Sequence, residues 1–328
     1  MRNSTLLALL LATLVVVGCA PKAKEPAGQS AEAETSYVIT TRGPKKRVGV
    51  VKFENKATYA KRYRVGQAIV DIVTTELAKT DAFILVERSQ LDEVLKEQAL
   101  GQSGAIDPAT AAQAGRVLGL QAMIIGTISE FGVHTEHTDA LIAKSKKQVA
   151  RAVVDVRLVD TTTGEILYAG SGTGEAEDTK GELLGFGAKG GYDQSLGQIA
   201  LRASVKQFMQ SLLDSLVTQE WRGKVVKVDA GRGTAIVNAG KETGLQVGDK
   251  LQVNRLGEVL VDPDSGRELG QEIGPEVGEL EVISLFGQNV SKCKIVSGRT
   301  GIAAGQQVTL KERPAPAKPA APAAASQS

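Results

Sequence analysis

The chain has 328 residues, and its 42% apolar and 23% charged residues are a normal globular composition. The 39 Lys and Arg against 37 Asp and Glu exclude a strongly basic surface, so we expect no nucleic-acid partner. Two cysteines exclude a disulfide-stapled miniprotein, and no apolar run of about 18 residues follows the N-terminus, so no spanning helix is predicted in the mature chain.

The N-terminal residues 1–19 have the layout of an export signal. A largely apolar stretch, 6–17, ends in Gly18-Cys19. This ending resembles the bacterial lipobox, in which the cysteine is acylated and becomes the new N-terminus. The alternatives are an ordinary signal with a chance cysteine, or a short anchor helix. We expect lipid on Cys19, followed by a disordered tether at 20–46 that is rich in Ala, Pro, Lys and Glu.

Residues 47–218 predict a mixed α/β domain in which helices cover the strands. From Val65, the apolar positions 65, 69, 72, 73 and 77 have the spacing of one helix face. Ser89 and Asp107 each resemble a helix start, and the second of these helices should end at Gly119. Short apolar runs predict strands at 48–53, 83–86 and 122–131.

The rest of this domain predicts a hairpin and a long helix. Residues 149–160 alternate, and the turn 161–164 leads into a second strand at 165–168. The buried face of the first strand should carry Ala150, Ala152, Val154, Val156 and Leu158. A helix from about 195 to 217 should point inward Leu196, Ile199, Ala203, Met209, Leu212, Leu213 and Leu216.

After Trp221 the pattern changes to short strands separated by Gly-rich turns, with no helical period across 221–310. The strands are predicted at 225–228, 234–237, 250–253 and 279–284. This pattern favours a separate, small all-β domain, an SH3-like barrel. An Ala- and Pro-rich tail at 311–328 is expected to be disordered.

No set of residues points to catalysis, so we expect a non-enzymatic protein without a cofactor. The G-x-G-x-x-G match at 185–190 follows a polar loop instead of a buried strand, which favours a mobile glycine loop over a dinucleotide site. His134 and His137 would face opposite sides of a strand, so no metal site is expected. Cys293, left without a partner if Cys19 is acylated, is expected to be a small buried apolar residue.

Three segments carry a family resemblance: ERSQLDEVLKEQ at 87–98, AMIIGTI at 122–128 and VRLVDTTTGEIL at 156–167. They follow the lipobox in the order seen in the curli assembly/transport lipoproteins, the CsgG family, which they resemble over about 45–217. The region after Trp221 lies outside this resemblance. It has a weaker likeness to the C-terminal domain of the flagellar basal-body protein FlgT.

The resemblance implies an oligomeric ring of identical subunits in the outer membrane. Each subunit of such a ring contributes two long hairpins to a shared pore, through which unfolded fibre subunits leave the periplasm. By position, the hairpins would lie at about 127–157 and 168–199. The constricting loop would be 54–59, with Asn55 and Tyr59 as candidate pore-lining residues.

Two functions remain open on the sequence. The first is a lipid-anchored outer-membrane component, facing the periplasm, for the export or assembly of surface fibres. The second is a periplasmic interaction module or envelope scaffold that forms no pore, as in lipoproteins that activate cell-wall synthases. Lipid-facing strands need an apolar residue at every second position, whereas 134–148 and 174–182 carry His, Glu, Asp and Lys. We therefore expect these two segments to be loops that stay in water.

Overall fold

The computed structural model describes residues 37–40, 43–57, 64–87, 89, 93, 118–139, 143–183, 186–187, 194–261, 263 and 268–313. The predicted signal, most of the predicted tether and tail, and Tyr59 lie outside these residues. The same is true of nearly all of the helices predicted from Ser89 and Asp107. Gly119 ends the second of them in the left-handed conformation, with φ of 65°, as a C-terminal glycine should.

A mixed six-stranded sheet and the two helices described between 46 and 218 form the N-terminal part of the chain, which confirms the predicted mixed α/β fold. Its elements are β1 (Lys46–Asn55), α1 (Val65–Lys79), β2 (Phe83–Val86), β3 (Ala122–Asp139), β4 (Ala143–Asp160), β5 (Ile166–Leu183), β6 (Phe186–Gly187) and α2 (Gln194–Thr218). The strand order is β2-β1-β3-β4-β5-β6. β1 runs parallel to β2 and β3, and the remaining neighbours are antiparallel.

The main core lies between one face of this sheet and the two helices. All five apolar positions predicted for the inner face of α1 are buried. The alternation in β4 is confirmed as well, since the five residues predicted on its inner face are at most 1% exposed. The helical period of α1 and the two-residue period of β4 therefore direct their apolar residues into one shared core.

The inner face of α2 differs in part from the prediction. Leu196, Met209, Leu212, Leu213 and Leu216 are buried as expected, but Ile199 is 49% exposed and Ala203 is only partly buried. Ala200, Leu201, Val205 and Phe208 are buried in their place. The stripe shifts by one residue because the backbone of β5 approaches this part of α2 closely. Neither helix in the described ranges has the length and apolar character needed to cross a bilayer.

The residues that precede β1 are held against the two helices. Tyr37 donates a hydrogen bond through its hydroxyl to Glu76 Oε2 at 3.1 Å. The Gln210 side chain of α2 accepts from the Val38 amide at 3.3 Å and donates to the Val38 carbonyl at 3.0 Å. Burial and the Glu76 carboxylate raise the pKa of the Tyr37 phenol. The segment predicted as tether therefore contacts the domain from Tyr37 onward.

The C-terminal sheet is a closed, antiparallel barrel of six strands. These are β7 (Arg222–Asp229), β8 (Thr234–Val237), β9 (Lys250–Val261), β10 (Glu268–Phe286), β11 (Val290–Ser297) and β12 (Gln307–Glu312), in the order β10-β11-β8-β7-β12-β9. The described residues between 221 and 313 include no helix, which agrees with the missing helical period. The barrel has its own buried core around Trp221 and Leu251. Its likeness to an SH3 barrel stays a prediction.

The structure contains the first of the two long hairpins implied by the resemblance and corrects the second. β3 and β4 form the first one, with seventeen paired positions from Ala122↔Asp160 to Asp139↔Lys144. The second one, expected at 168–199, is wrong. Among the residues described there, β6 pairs with β5 at Glu182 and Leu183, and the chain is helical from Gln194. Segments 134–148 and 174–182 also lie in strands rather than loops, apart from residues 140–142, which are outside the described residues.

Candidate functional site

The part of the sheet that extends past β1 is the first candidate for an interaction surface. β1 ends its pairing at Asn55↔Ile128, whereas β3 continues to Asp139 with β4 and β5 beside it. We call 129–139, 143–153 and 173–183 the outer meander. At roughly 3.3 Å per residue, the 11 residues that follow Ile128 in β3 extend it about 36 Å beyond β1.

One face of the outer meander carries a ladder of ion pairs. Arg151 of β4 contacts Glu130 of β3 (Nε to Oε2, 3.3 Å) and Glu175 of β5 (Nη1 to Oε1, 2.8 Å). Lys147 lies four residues before Arg151 on the same face of β4, and its Nζ is 2.8 Å from Glu177 Oε2. Exposed pairs of this kind contribute roughly 0–1 kcal/mol each, so the ladder does little for stability. It gives the sheet a charged, exposed surface, which we call the charged face.

α2 covers the opposite face of the outer meander where it adjoins the rest of the sheet, at 148–152 and 174. Ala150 and Ala152 are fully buried there, and Gln148 is 4% exposed. Gly172 and Gly174 of β5 sit so close to α2 that a Cβ on either would overlap its backbone at Ser204 or Ala200. The outer meander is therefore a two-layer arm, with α2 on one side and the charged face on the other.

Of the two residues predicted for a pore loop, the structure describes Asn55. Asn55 is at the end of β1, where its Oδ1 accepts a hydrogen bond from the Ala57 amide at 3.1 Å. Its side chain thus holds the chain where it leaves the strand. Tyr59 and Cys19 lie outside the described residues. His134 is exposed on β3, and the described residues contain no cluster of three His, Cys, Asp or Glu suited to a metal ion.

The junction between the two sheets contains polar contacts that the sequence did not reveal. Asp160, at the end of β4, accepts hydrogen bonds at Oδ1 from the amides of Thr162 (2.6 Å) and Thr163 (3.2 Å). Its Oδ2 pairs with Arg222 of β7. The Asp-Thr-Thr turn has a recognisable Asx pattern, but nothing in the sequence indicates an arginine partner 62 positions away.

Lys45 and Lys46 make two further contacts at this junction. The Lys45 amide donates to the Thr243 carbonyl of the barrel segment at 2.7 Å. Lys46 Nζ donates to the Val217 carbonyl near the end of α2 at 3.1 Å. Burial, and next the positive charge of Arg222, lower the pKa of Lys46 to about 8. Lys46 is the last residue of the predicted tether, and no sequence motif includes it.

Cys293 lies fully buried in the barrel core, which confirms the expectation of a small apolar residue. Burial raises the pKa of its thiol to about 11, an effect that outweighs the opposing contact with Ser291. The thiolate, which is the reactive form, is therefore scarce at neutral pH.

Known proteins match parts of this chain in comparisons of sequence and of solved structures. A Neisseria meningitidis serogroup B protein, "Putative lipoprotein NMB1126/NMB1164", is 26% identical over 228 residues, which are 67% of this chain and 97% of that protein. The crystal structure of lipoprotein GNA1162 from Neisseria meningitidis matches with a TM-score of 0.33 and 16% identity, over 52% of this chain and 99% of that one. The LpoB C-terminal domain from Salmonella enterica matches with a TM-score of 0.28 and 17% identity, over 40% of this chain and 84% of that one.

The family comparison covers more of the chain than the sequence motifs indicated. A family described as "Curli production assembly/transport component CsgG" matches residues 34–241. This range begins before Tyr37, where the chain first contacts the two helices, and continues through β7 and β8 of the barrel. Because the matched range is well over half of the 328 residues, this chain belongs to the CsgG family.

Proposed function

We propose that this protein is a non-enzymatic envelope lipoprotein that acts through protein contacts made in water by its outer meander. Its lipid, on Cys19, would hold it at the outer membrane facing the periplasm. The charged face is the observation that carries this proposal. Membership of the CsgG family and the sequence relative described as a lipoprotein support the envelope location.

The charge pattern favours water over lipid around the described strands. Arg151 with Glu130 and Glu175 occupies the face opposite α2. A lipid-facing strand would place apolar residues there, because Arg at the bilayer midplane costs roughly 2–4 kcal/mol. Repeated around a ring of subunits, this cost would oppose insertion in proportion to the number of subunits.

A second candidate function is that of an oligomeric component for the export or assembly of surface fibres, and the family match favours it. In that case identical subunits would form a ring, the β3–β4 hairpin would contribute to a pore, and Asn55 and Tyr59 would line its constriction. The secreted or envelope partner would then pass through the ring instead of docking on the outer meander.

Water accessibility of the charged face separates the two candidates. Single cysteines at Arg151 and Glu175 would be tested in native membranes with a membrane-impermeant maleimide. Ala152→Cys, buried under α2, serves as the unlabelled control, and Val226→Cys, 55% exposed on the barrel, as the labelled one. Cys293 contributes little background because it is buried.

Labelling of Arg151→Cys and Glu175→Cys at the rate of Val226→Cys is the expected result. Protection of both positions, together with quenching of an attached fluorophore by brominated lipid, would support the pore. Single-channel conductance that disappears when 174–182 is deleted would also support the pore and contradict our proposal.

Cys19→Ser should release the protein from the membrane, and an unchanged membrane fraction would refute the anchor.

We also propose that 47–218 and 221–310 are two domains and that the second resembles an SH3 barrel and the C-terminal domain of FlgT. The closed antiparallel barrel with its own core supports this division.

A further inference from the structure

A cavity of about 400 Å³ lies where the start of β1, the end of α2 and β12 meet. Phe83, Val217, Trp221 and Leu310 supply apolar walls, and Phe83 and Trp221 are themselves only 8% and 6% exposed. Lys46 and Glu220 are the charged residues among those that line it. Ligand sites commonly combine such apolar walls with a few polar groups and occur where domains meet.

Lys46 is the buried polar group in this cavity. It is 9% exposed, and its ammonium group donates to the Val217 carbonyl at 3.1 Å. An ammonium group has three donors, so this contact satisfies one of them. Within the described part of the chain, no carboxylate forms an ion pair with Lys46. The nearby charge is the like charge of Arg222, which is paired with Asp160.

The positive charge of Lys46 in this cavity is therefore only partly compensated by its neighbours. A buried charge is costly without an opposite charge, and the carbonyl end of α2 offsets part of that cost. The lowered pKa of Lys46 shows that burial and Arg222 outweigh the offset. An anion placed beside Lys46 would stabilise the charged form. Glu220, which is exposed, would repel a second negative charge on the same ligand.

We propose that this cavity binds a small monocarboxylate with an apolar body, the carboxylate against Lys46 Nζ and the body against Phe83 and Trp221. The apolar walls favour a hydrocarbon or aromatic body. The single buried ammonium favours one carboxylate. This site is independent of the outer meander and of the proposed function.

Trp221 provides a direct reporter, because it is the single tryptophan of the chain and lines the cavity. The full-length protein would be titrated with 3-phenylpropionate and with its neutral amide, 3-phenylpropanamide, while Trp221 fluorescence is recorded. Saturable binding of the acid, with the amide at least about tenfold weaker, is the expected result, since a hydrogen bond between charged groups is lost. Equal binding of acid and amide, or no saturable signal from either, would overturn the proposal.

Two substitutions test the role of Lys46. Lys46→Met should weaken 3-phenylpropionate binding about tenfold, whereas Lys46→Arg should keep most of it. Lys45→Met is the matched control, because the Lys45 side chain pairs with exposed Asp81 at 2.6 Å instead of lining the cavity. Unchanged affinity in a cooperatively folded Lys46→Met protein would refute the site. If Lys46→Met does not fold, the comparison of acid and amide on the unmodified chain decides the question.

Discussion

The carboxylate of Asp249 is fully buried and forms an ion pair with Arg313, which directly follows β12. Arg313 contacts it through two nitrogens, Nε to Oδ1 at 3.0 Å and Nη2 to Oδ2 at 2.9 Å, and the Gln246 amide donates to Oδ2. Arg313→Ala would leave the buried charge without its cation, which should lower the free energy of unfolding by roughly 2–4 kcal/mol. Denaturant unfolding of the full chain measures this change.

Lys311→Ala is the matched control for that experiment. Lys311 lies two positions before Arg313 and pairs with Glu276 and Glu279 on the surface. Its removal should change the free energy of unfolding little, as for other exposed pairs. Equal losses in the two variants would contradict the importance of the buried pair.

Lys46 has the opposite effect on stability, and the effect depends on pH. Its pKa falls from 10.5 to about 8 on folding, so the folded state binds fewer protons than the unfolded state between these values. The cost of burying the charged lysine is therefore full below about pH 8 and is lost as the pH rises towards 10.5. Lys46→Met should raise the free energy of unfolding at pH 7 by on the order of 1–2 kcal/mol, allowing for partial screening by solvent.

That advantage of Lys46→Met over the wild type should shrink between pH 8 and pH 10. Urea unfolding at pH 7, 8.5 and 10 would follow it, with Lys45→Met as the control for a general loss of positive charge. A difference that stays constant over this range would show that the charge of Lys46 is not the cause.

At the scale of elements, the packing of α2 on β5 depends on glycine. Gly174→Ala would place a methyl group against the α2 backbone at Ala200 and Ser204, which cannot move aside as a side chain can. We expect a loss of roughly 1–3 kcal/mol in the free energy of unfolding. Gly132→Ala on β3 is the control, because its Cβ would meet only His134 Nε2 at 3.5 Å. A melting temperature unchanged by Gly174→Ala would contradict this close approach.

Elements with a clear period were predictable, and those with a mixed pattern were not. β4 followed from alternation because its buried face is apolar at every position while the other face carries Arg151, Asp155 and Arg157, so Arg151 on the charged face follows from the same period. β12 was missed although Val308 and Leu310 alternate with polar residues, because this short pattern lies next to the Ala- and Pro-rich tail. β11 was missed because its inward residues include Ser291 and Cys293. The pair of Asp160 with Arg222 depends on tertiary contact, which no local pattern encodes.

At the scale of the whole molecule, the barrel should fold without the α/β domain. We expect a fragment of residues 221–313 to be rich in β-structure and to unfold cooperatively. The fragment 221–310, which ends at the predicted domain boundary, should be less stable because it lacks Arg313 and the last residues of β12. Thermal unfolding followed by circular dichroism compares the two. An unfolded 221–313 would show that the barrel depends on contacts such as Asp160 with Arg222.

The attachment of Tyr37 and Val38 to α1 and α2 sets how far this protein can reach. Tyr37 lies 18 positions after Cys19, and a chain extends at most about 3.6 Å per residue, so their separation cannot exceed roughly 65 Å. A lipid on Cys19 would confine the domain to a layer of that thickness above the bilayer. Partners in the same layer would meet it at a high effective concentration, so even weak contacts on its surface could be occupied for much of the time.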